Sequence, residues 1–105
     1  MSNSKSTVKE LVLYKVKAEH LQDYTTEVLP ELKAFLTSQK GFIAHECLKA
    51  MANDGHLVDL VVWENMEAAK TSAAEWERRT KLGDFSNMIS AIEKVEFFDH
   101  LTALS

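Results

Sequence analysis

The chain has 105 residues and a formal net charge of −4, with 46% hydrophobic and 27% charged residues. This size and composition are typical of one globular domain with a single core, and they exclude a disordered chain. The negative balance argues against nucleic acid or an anionic membrane surface as a partner, because both attract clustered Lys and Arg. No apolar run is long enough to span a membrane. A single cysteine and a polar start without a signal peptide predict a cytoplasmic protein.

The first half of the chain predicts one strand and one helix. Residues 1–6 are expected to be a disordered lead, and residues 7–105 a single domain. The run from Val8 to Val16 mixes β-branched, aromatic and aliphatic residues and is typical of a central strand. Apolar residues then recur at helical spacing from His20 to Ser38. Pro30 lies inside this pattern and should kink the helix or divide it in two, because it lacks a backbone donor.

The stretch from Gly41 to Asn65 predicts a β-hairpin around an Asn53-Asp54-Gly55 turn. With a two- or four-residue loop, partners across the hairpin would have opposite number parity. The face assigned to the helices then holds Ile43, His45, Cys47, Val58, Leu60 and Val62. The opposite face holds Phe42, Ala44, Glu46, Leu48, Leu57, Asp59, Val61 and Trp63.

The second half of the chain predicts two further helices and a last strand. Asn65 is suited to cap a helix from Met66 to about Arg79, and a shorter helix follows Asp84. The sequence VEFFDHLTAL, which begins at Val95, is typical of a strand. The order strand, helix, strand, strand, helix, strand predicts an α+β, ferredoxin-like βαββαβ sheet with helices on one face and strand 1 between strands 3 and 4.

One face of such a sheet would be left uncovered although it is largely apolar. An exposed apolar surface of this size is unusual for a monomer. We therefore expect a homodimer with two-fold symmetry, in which a second subunit covers this face. The pairing would also leave room for a cavity between the two sheets.

Three stretches of this sequence resemble a known family. The Gly41-Phe42 opening of strand 2, the sequence VVWENMEAA from Val61 to Ala69, and the closing FFDHL are similar to the antibiotic biosynthesis monooxygenase-like family of dimeric α/β barrels. The resemblance implies a homodimer that oxidises a small aromatic or polyketide-like substrate without a bound cofactor, in a cavity between sheet and helices. Haem degradation, which other members perform, is disfavoured because no histidine lies between His56 and His100.

Glu46 and Asp59 are the candidate catalytic residues. Both are predicted on the same face of adjacent strands, where burial and mutual repulsion would raise the pKa of a carboxyl group. Either could then act as a general base toward a phenolic substrate. The alternative is that both are solvated or paired with Lys49 or Lys15.

Four further residues are candidates for substrate binding: Phe42, Trp63, His45 and Trp76. The aromatic rings could form the walls of a pocket for a flat ligand, although each could equally belong to the core. The four histidines of the chain lack the spacing of metal ligands, so no metal is expected. Cys47 is expected to be buried and unreactive.

The sequence leaves three functions open. The first is a cofactor-independent monooxygenase, and the second is a non-catalytic homodimeric module that binds a small apolar or aromatic ligand. The third is a dimer whose cavity is filled by side chains and whose function resides on its surface. A cavity of a few hundred Å3 lined by a carboxylate would favour the first two.

Overall fold

The computed structural model describes residues 7–105, so the expected disordered lead at residues 1–6 lies outside the described residues. The strands are β1 (Val8–Val16), β2 (Phe42–Lys49), β3 (His56–Trp63) and β4 (Ile92–Leu101). The helices are α1 (Ala18–Leu21), a π-helix (Tyr24–Val28), α2 (Leu29–Thr37), α3 (Met66–Lys81) and α4 (Ser86–Ala91).

The four strands form one antiparallel sheet in the order β2-β3-β1-β4. β1 is therefore central and lies between β3 and β4, which confirms the ferredoxin-like prediction. The helices pack on one face, where the core contains aromatic and aliphatic side chains from both layers. We call the other side of the sheet the open face.

The first helical segment is divided at the proline, as the sequence predicted. Pro30 lies in the first turn of α2, where a missing backbone N–H leaves no bond unmade. The residues before it form a five-residue π-helix, which places Tyr24 and Val28 in the core. This irregular turn directs Tyr24 toward the sheet, where it meets Tyr14 of β1.

Asn65 caps α3, also as predicted. Its side-chain oxygen accepts a hydrogen bond from the backbone N–H of Ala68 at 2.9 Å. The inward residues Ala69 and Ser72 of this helix are small and buried, so α3 lies close to the sheet. The same closeness explains Gly41, because a Cβ at that position would be 2.5 Å from the Cβ of Ala68.

The predicted hairpin register is wrong. His45 pairs with Val61, Cys47 with Asp59, and Lys49 with Leu57, so partners share number parity. The backbone N–H of Ala50 donates to the carbonyl of His56, which leaves five residues, 51–55, in the loop. With an odd number of loop residues, paired residues have the same number parity. A register shift between Phe42 and Ala44 restores opposite parity for the pair of Phe42 and Trp63.

The face assignment of β3 changes with the register. The helix-covered face holds Leu57, Asp59, Val61 and Trp63, together with Phe42, His45 and Cys47. The open face holds Val58, Leu60 and Val62, together with Ala44, Glu46 and Leu48. The predicted positions of His45, Cys47, Ala44, Glu46 and Leu48 are thus confirmed, whereas the β3 residues and Phe42 lie on the opposite side from the one predicted.

None of the helices formed by residues 7–105 has both the length and the apolar composition needed to cross a lipid bilayer.

Candidate active site

A cavity of about 410 Å3 lies between the helix-covered face of the sheet and the helices. This volume is in the range of small-molecule sites. Most of its wall is aliphatic and aromatic, with contributions from β1, β3, β4, α2, α3 and α4. The polar side chains on the wall are those of Glu10, Tyr14, Asp59, Trp63 and Ser72.

Asp59 of β3 is the most deeply buried carboxylate on this wall, and its residue is 5% exposed. Its Oδ1 lies 3.0 Å from Nε2 of His45, whose side chain is 2% exposed. On the other side of the ring, Nδ1 of His45 lies 3.0 Å from the Nζ of Lys33, on the exposed side of α2. A row of hydrogen bonds therefore runs from the surface to the cavity carboxylate.

Glu10 of β1 is the second carboxylate on the cavity wall. Its Oε1 lies 3.2 Å from Nε2 of His100 on β4. Burial raises the pKa of Glu10, and the hydrogen bond from His100 and the nearby indole N–H of Trp63 oppose this shift only in part. Glu10 therefore retains its proton to a higher pH than a solvated carboxyl group does.

Trp63 presents a polar group that lacks a partner. The residue is 1% exposed, and its buried indole Nε1 makes no hydrogen bond of ordinary geometry within the described part of the chain, although the Glu10 carboxylate is close enough for the indole to lower its pKa. A buried N–H of this kind costs free energy unless an acceptor reaches it. Because Trp63 lines the cavity, an acceptor oxygen on a bound ligand would satisfy it.

A pair of tyrosines and a thiol lie beside Asp59. The hydroxyl groups of Tyr14 and Tyr24 are 2.8 Å apart in the core, and burial raises the pKa of both above the usual tyrosine range. The Cys47 sulfur lies 3.9 Å from the Tyr14 hydroxyl. Burial, with the charge of Asp59, raises the pKa of Cys47 to about 12, so the thiol is protonated as expected from the sequence.

The two predicted catalytic carboxylates do not share a face. Asp59 lines the cavity, whereas Glu46 is exposed on the open face opposite Leu60. The prediction that they form a pair is wrong because it depended on the hairpin register. Within residues 7–105 there is also no cluster of three or more His, Cys, Asp or Glu side chains that could hold a metal.

The four predicted substrate-binding residues divide into two groups. Trp63 and Trp76 lie on the cavity wall. Phe42 packs edge-on against Trp63, with ring centroids 6.0 Å apart, and His45 lies behind Asp59; neither contributes to the wall. The two tryptophans thus stand where a flat ligand would meet them.

The sequence analysis did not single out Glu10, Lys33 or Ser72. A signal for Glu10 was present, since it alternates with Val12 and Tyr14 on one face of β1. Lys33 gave no such signal, because its contact with His45 joins residues that are distant in sequence.

The family model of the antibiotic biosynthesis monooxygenases matches residues 7–86, which is most of the chain. The chain therefore belongs to the antibiotic biosynthesis monooxygenase family, as its resemblance implied. No curated protein matches its sequence at a significant level.

Solved structures with this fold support the assignment. SnoaB, a cofactor-independent oxygenase from Streptomyces nogalater, superposes with a TM-score of 0.77 at 20% identity over 95% of both chains. A conserved protein from Methanosarcina mazei gives 0.69 at 14% identity, again over 95% of both chains. The protein PA3566 from Pseudomonas aeruginosa gives 0.67 at 13% identity over 97% of this chain and 98% of its own. At these sequence identities the structural similarity establishes a shared fold and nothing further.

Proposed function

We propose that this protein is a cofactor-independent oxygenase that oxidises a small aromatic or polyketide-like molecule in the cavity between the sheet and the helices. The observation that carries the proposal is the apolar cavity of about 410 Å3 with the buried carboxylate of Asp59 on its wall. Membership of the monooxygenase family and the fold shared with SnoaB support it.

In the proposed reaction Asp59 is the general base. It removes a proton from a phenolic or anthrone substrate, which leaves an electron-rich anion. The anion transfers one electron to molecular oxygen, and the resulting radical pair combines to form a carbon–oxygen bond. A proton returned by Asp59 completes a hydroperoxide. Asp59 then removes the second proton from the same carbon, and the electrons of this C–H bond form the carbonyl as the O–O bond breaks and hydroxide leaves. Protonation of the hydroxide gives water, so that the CH2 of an anthrone and O2 become C=O and H2O.

The remaining polar groups of the cavity have complementary roles. The indole N–H of Trp63, which makes no well-formed hydrogen bond to Glu10, could bind a substrate oxygen, where negative charge collects after deprotonation. Glu10, whose pKa is raised by burial, is suited to protonate the hydroxide that leaves. The aromatic ring of Trp76 provides a flat apolar wall. The reaction needs no group other than the substrate, oxygen and these side chains.

We also propose that the protein is a homodimer, as its family commonly is. The open face carries exposed apolar side chains on both of its outer strands, among them Leu48 at 44% and Phe97 at 48% exposure. A second copy would cover this surface. We also propose a cytoplasmic location, with which the single, unpaired Cys47 is consistent.

Oxygen uptake with a panel of hydroquinones and anthrones tests the proposed function. Asp59→Asn removes the base and keeps the shape of the side chain, so we expect at least a hundredfold loss of kcat. Glu46→Gln makes the matched change on the open face. If the base instead acts from the dimer interface, Glu46→Gln loses activity and Asp59→Asn keeps it. Background uptake by all three proteins, combined with tight ligand binding, would favour the non-catalytic binding module.

A further inference from the structure

Lys33, His45 and Asp59 form a row of hydrogen bonds that extends from the surface of α2 to the cavity. The two contacts are each 3.0 Å long, from Lys33 Nζ to His45 Nδ1 and from His45 Nε2 to Asp59 Oδ1. The imidazole between them is 2% exposed and the carboxylate 7% exposed, so water has little access to either.

The chemistry of the donors determines where the protons are. An ammonium group has three N–H donors and no acceptor, so Lys33 must donate to His45. The Nδ1 atom then accepts through its lone pair and carries no proton. A neutral imidazole has one N–H, which must be on Nε2, and this N–H donates to Asp59. The lysine and the carboxylate thus favour the same tautomer, and the lysine keeps a proton off Nδ1.

The side chains around Asp59 show why the tautomer of His45 matters for this carboxylate. Cys47 from β2 and Tyr14 from β1 lie beside the carboxylate, and Tyr24 of the π-helix and Glu10 of β1 also feel its charge. None of these four neighbours carries a positive charge. Lys33 is the cation of this row, and it acts on Asp59 through the N–H of His45.

We infer that Lys33 and His45 are positioning residues, which hold the Asp59 carboxylate oriented toward the cavity through the Nε2–H tautomer of His45. This inference rests on the proposed function, in which Asp59 is the base. In the opposite tautomer Nε2 would present a lone pair to the carboxylate, and the two groups would repel each other unless Asp59 became protonated. A protonated Asp59 could not remove a proton from a substrate.

Nitrogen-15 NMR of the histidine rings tests the inference on the resting protein. In the unmodified chain at pH 7.5, we expect His45 to show a protonated Nε2 and an unprotonated Nδ1. Lys33→Met keeps the length of the side chain and removes the donor. It should free Nδ1 to take up a proton while Nε2–H keeps its hydrogen bond to Asp59, so that the doubly protonated ring appears.

Two further variants separate charge from structure. Lys33→Arg retains a cationic donor and should restore the Nε2–H form. Lys40→Met removes an exposed lysine from the turn after α2 and should leave the His45 signals unchanged. With an active substrate, Lys33→Met should lower kcat about tenfold with little change in KM, because it loosens the orientation of the base and leaves the cavity wall intact.

The outcomes distinguish this inference from the proposed function. A Nδ1–H tautomer in the unmodified protein, or an unprotonated Nδ1 that persists in Lys33→Met, overturns the positioning role even if oxygen uptake depends on Asp59. If the tautomers respond as expected and no variant consumes oxygen, the proposed function fails while the control of Asp59 by Lys33 and His45 stands.

Discussion

The environment of a single side chain decides what each polar residue of this protein can do. Asp59 and Glu46 are both carboxylates of the same hairpin, but one is buried beside His45 and the other is exposed. Their environments therefore differ although their chemistry is the same. The sequence identified both side chains, and it could not rank them, because burial depends on the face of the strand that each one occupies.

Cys47 gives a direct test of burial at the residue scale. Burial and the charge of Asp59 raise its pKa to about 12, so that very little thiolate is present at pH 8. We expect a disulfide reagent such as Ellman's reagent to react at least a hundredfold more slowly with the folded protein than with the protein in denaturant. Equal rates in the two states would contradict the buried position beside Asp59.

At the scale of elements, the strands of the hairpin could be predicted from the sequence, whereas their register could not. The strands, the order of elements and the N-cap at Asn65 follow from local patterns, and the structure confirms them. The register does not follow, because it depends on the number of residues in the turn. Here Asn53 and Gly55 both adopt positive φ within a loop of five residues, whereas the prediction assumed two or four. The odd number of loop residues places Asp59 on the other face of the sheet.

The junction between β2 and α3 depends on Gly41. Gly41→Ala would place a Cβ 2.5 Å from that of Ala68, in a backbone with φ of +84°. Gly83→Ala is the matched control, since φ is +98° there and no atom lies within 4 Å. We expect the control to lose about 1–2 kcal/mol of unfolding free energy from backbone strain alone.

The Gly41 variant should lose about 1–3 kcal/mol more than the control, because the strand and the helix must move apart. Urea denaturation of the two variants measures the difference. Equal losses would show that α3 does not pack against the start of β2 as closely as described.

The turn of the hairpin is linked to β4 by His56. Its Nδ1 lies 2.9 Å from Asp54 and its Nε2 2.9 Å from Glu96. The hydrogen bonds to Glu96 and then Asp54 raise the pKa of His56, while His56 lowers the pKa of both carboxyl groups. The histidine contributes stability below about pH 6.5 and loses it as pH rises through its raised pKa.

The carboxyl groups contribute stability above about pH 4.3 and lose it as pH falls through their lowered pKa values. The melting temperature of the unmodified protein should therefore exceed that of His56→Gln most between these limits. The difference should be small, because the groups are exposed. A difference that is constant from acid to alkaline pH would contradict the link.

At the scale of the whole molecule, the open face predicts self-association. Phe97→Glu places a charge among the exposed apolar side chains of this face and should convert a dimer into a monomer. Leu82→Glu is the control, because Leu82 is 70% exposed at the end of α3, away from the sheet. Light scattering measures the mass of each. A monomeric unmodified protein at micromolar concentration would contradict the proposed dimer.

The whole molecule also explains why the cavity could not be predicted in detail. The family resemblance implied a cavity between sheet and helices, but its wall combines residues from six elements, from Glu10 on β1 to Phe98 on β4. Such a surface exists only after the layers have packed. Three of the residues singled out from the sequence, Asp59, Trp63 and Trp76, do lie on that wall.

The most direct test of the central claim is whether an aromatic ligand enters this cavity. Proton–nitrogen NMR of the two indole N–H groups during titration with a dihydroxyanthraquinone gives the answer. The account predicts that Trp63 and Trp76 both shift, with the Trp63 signal moving downfield as its unpartnered N–H gains an acceptor, while the amides of Glu46 and Leu48 on the open face keep their positions. Binding that shifts only open-face amides and leaves Trp63 unchanged would contradict it.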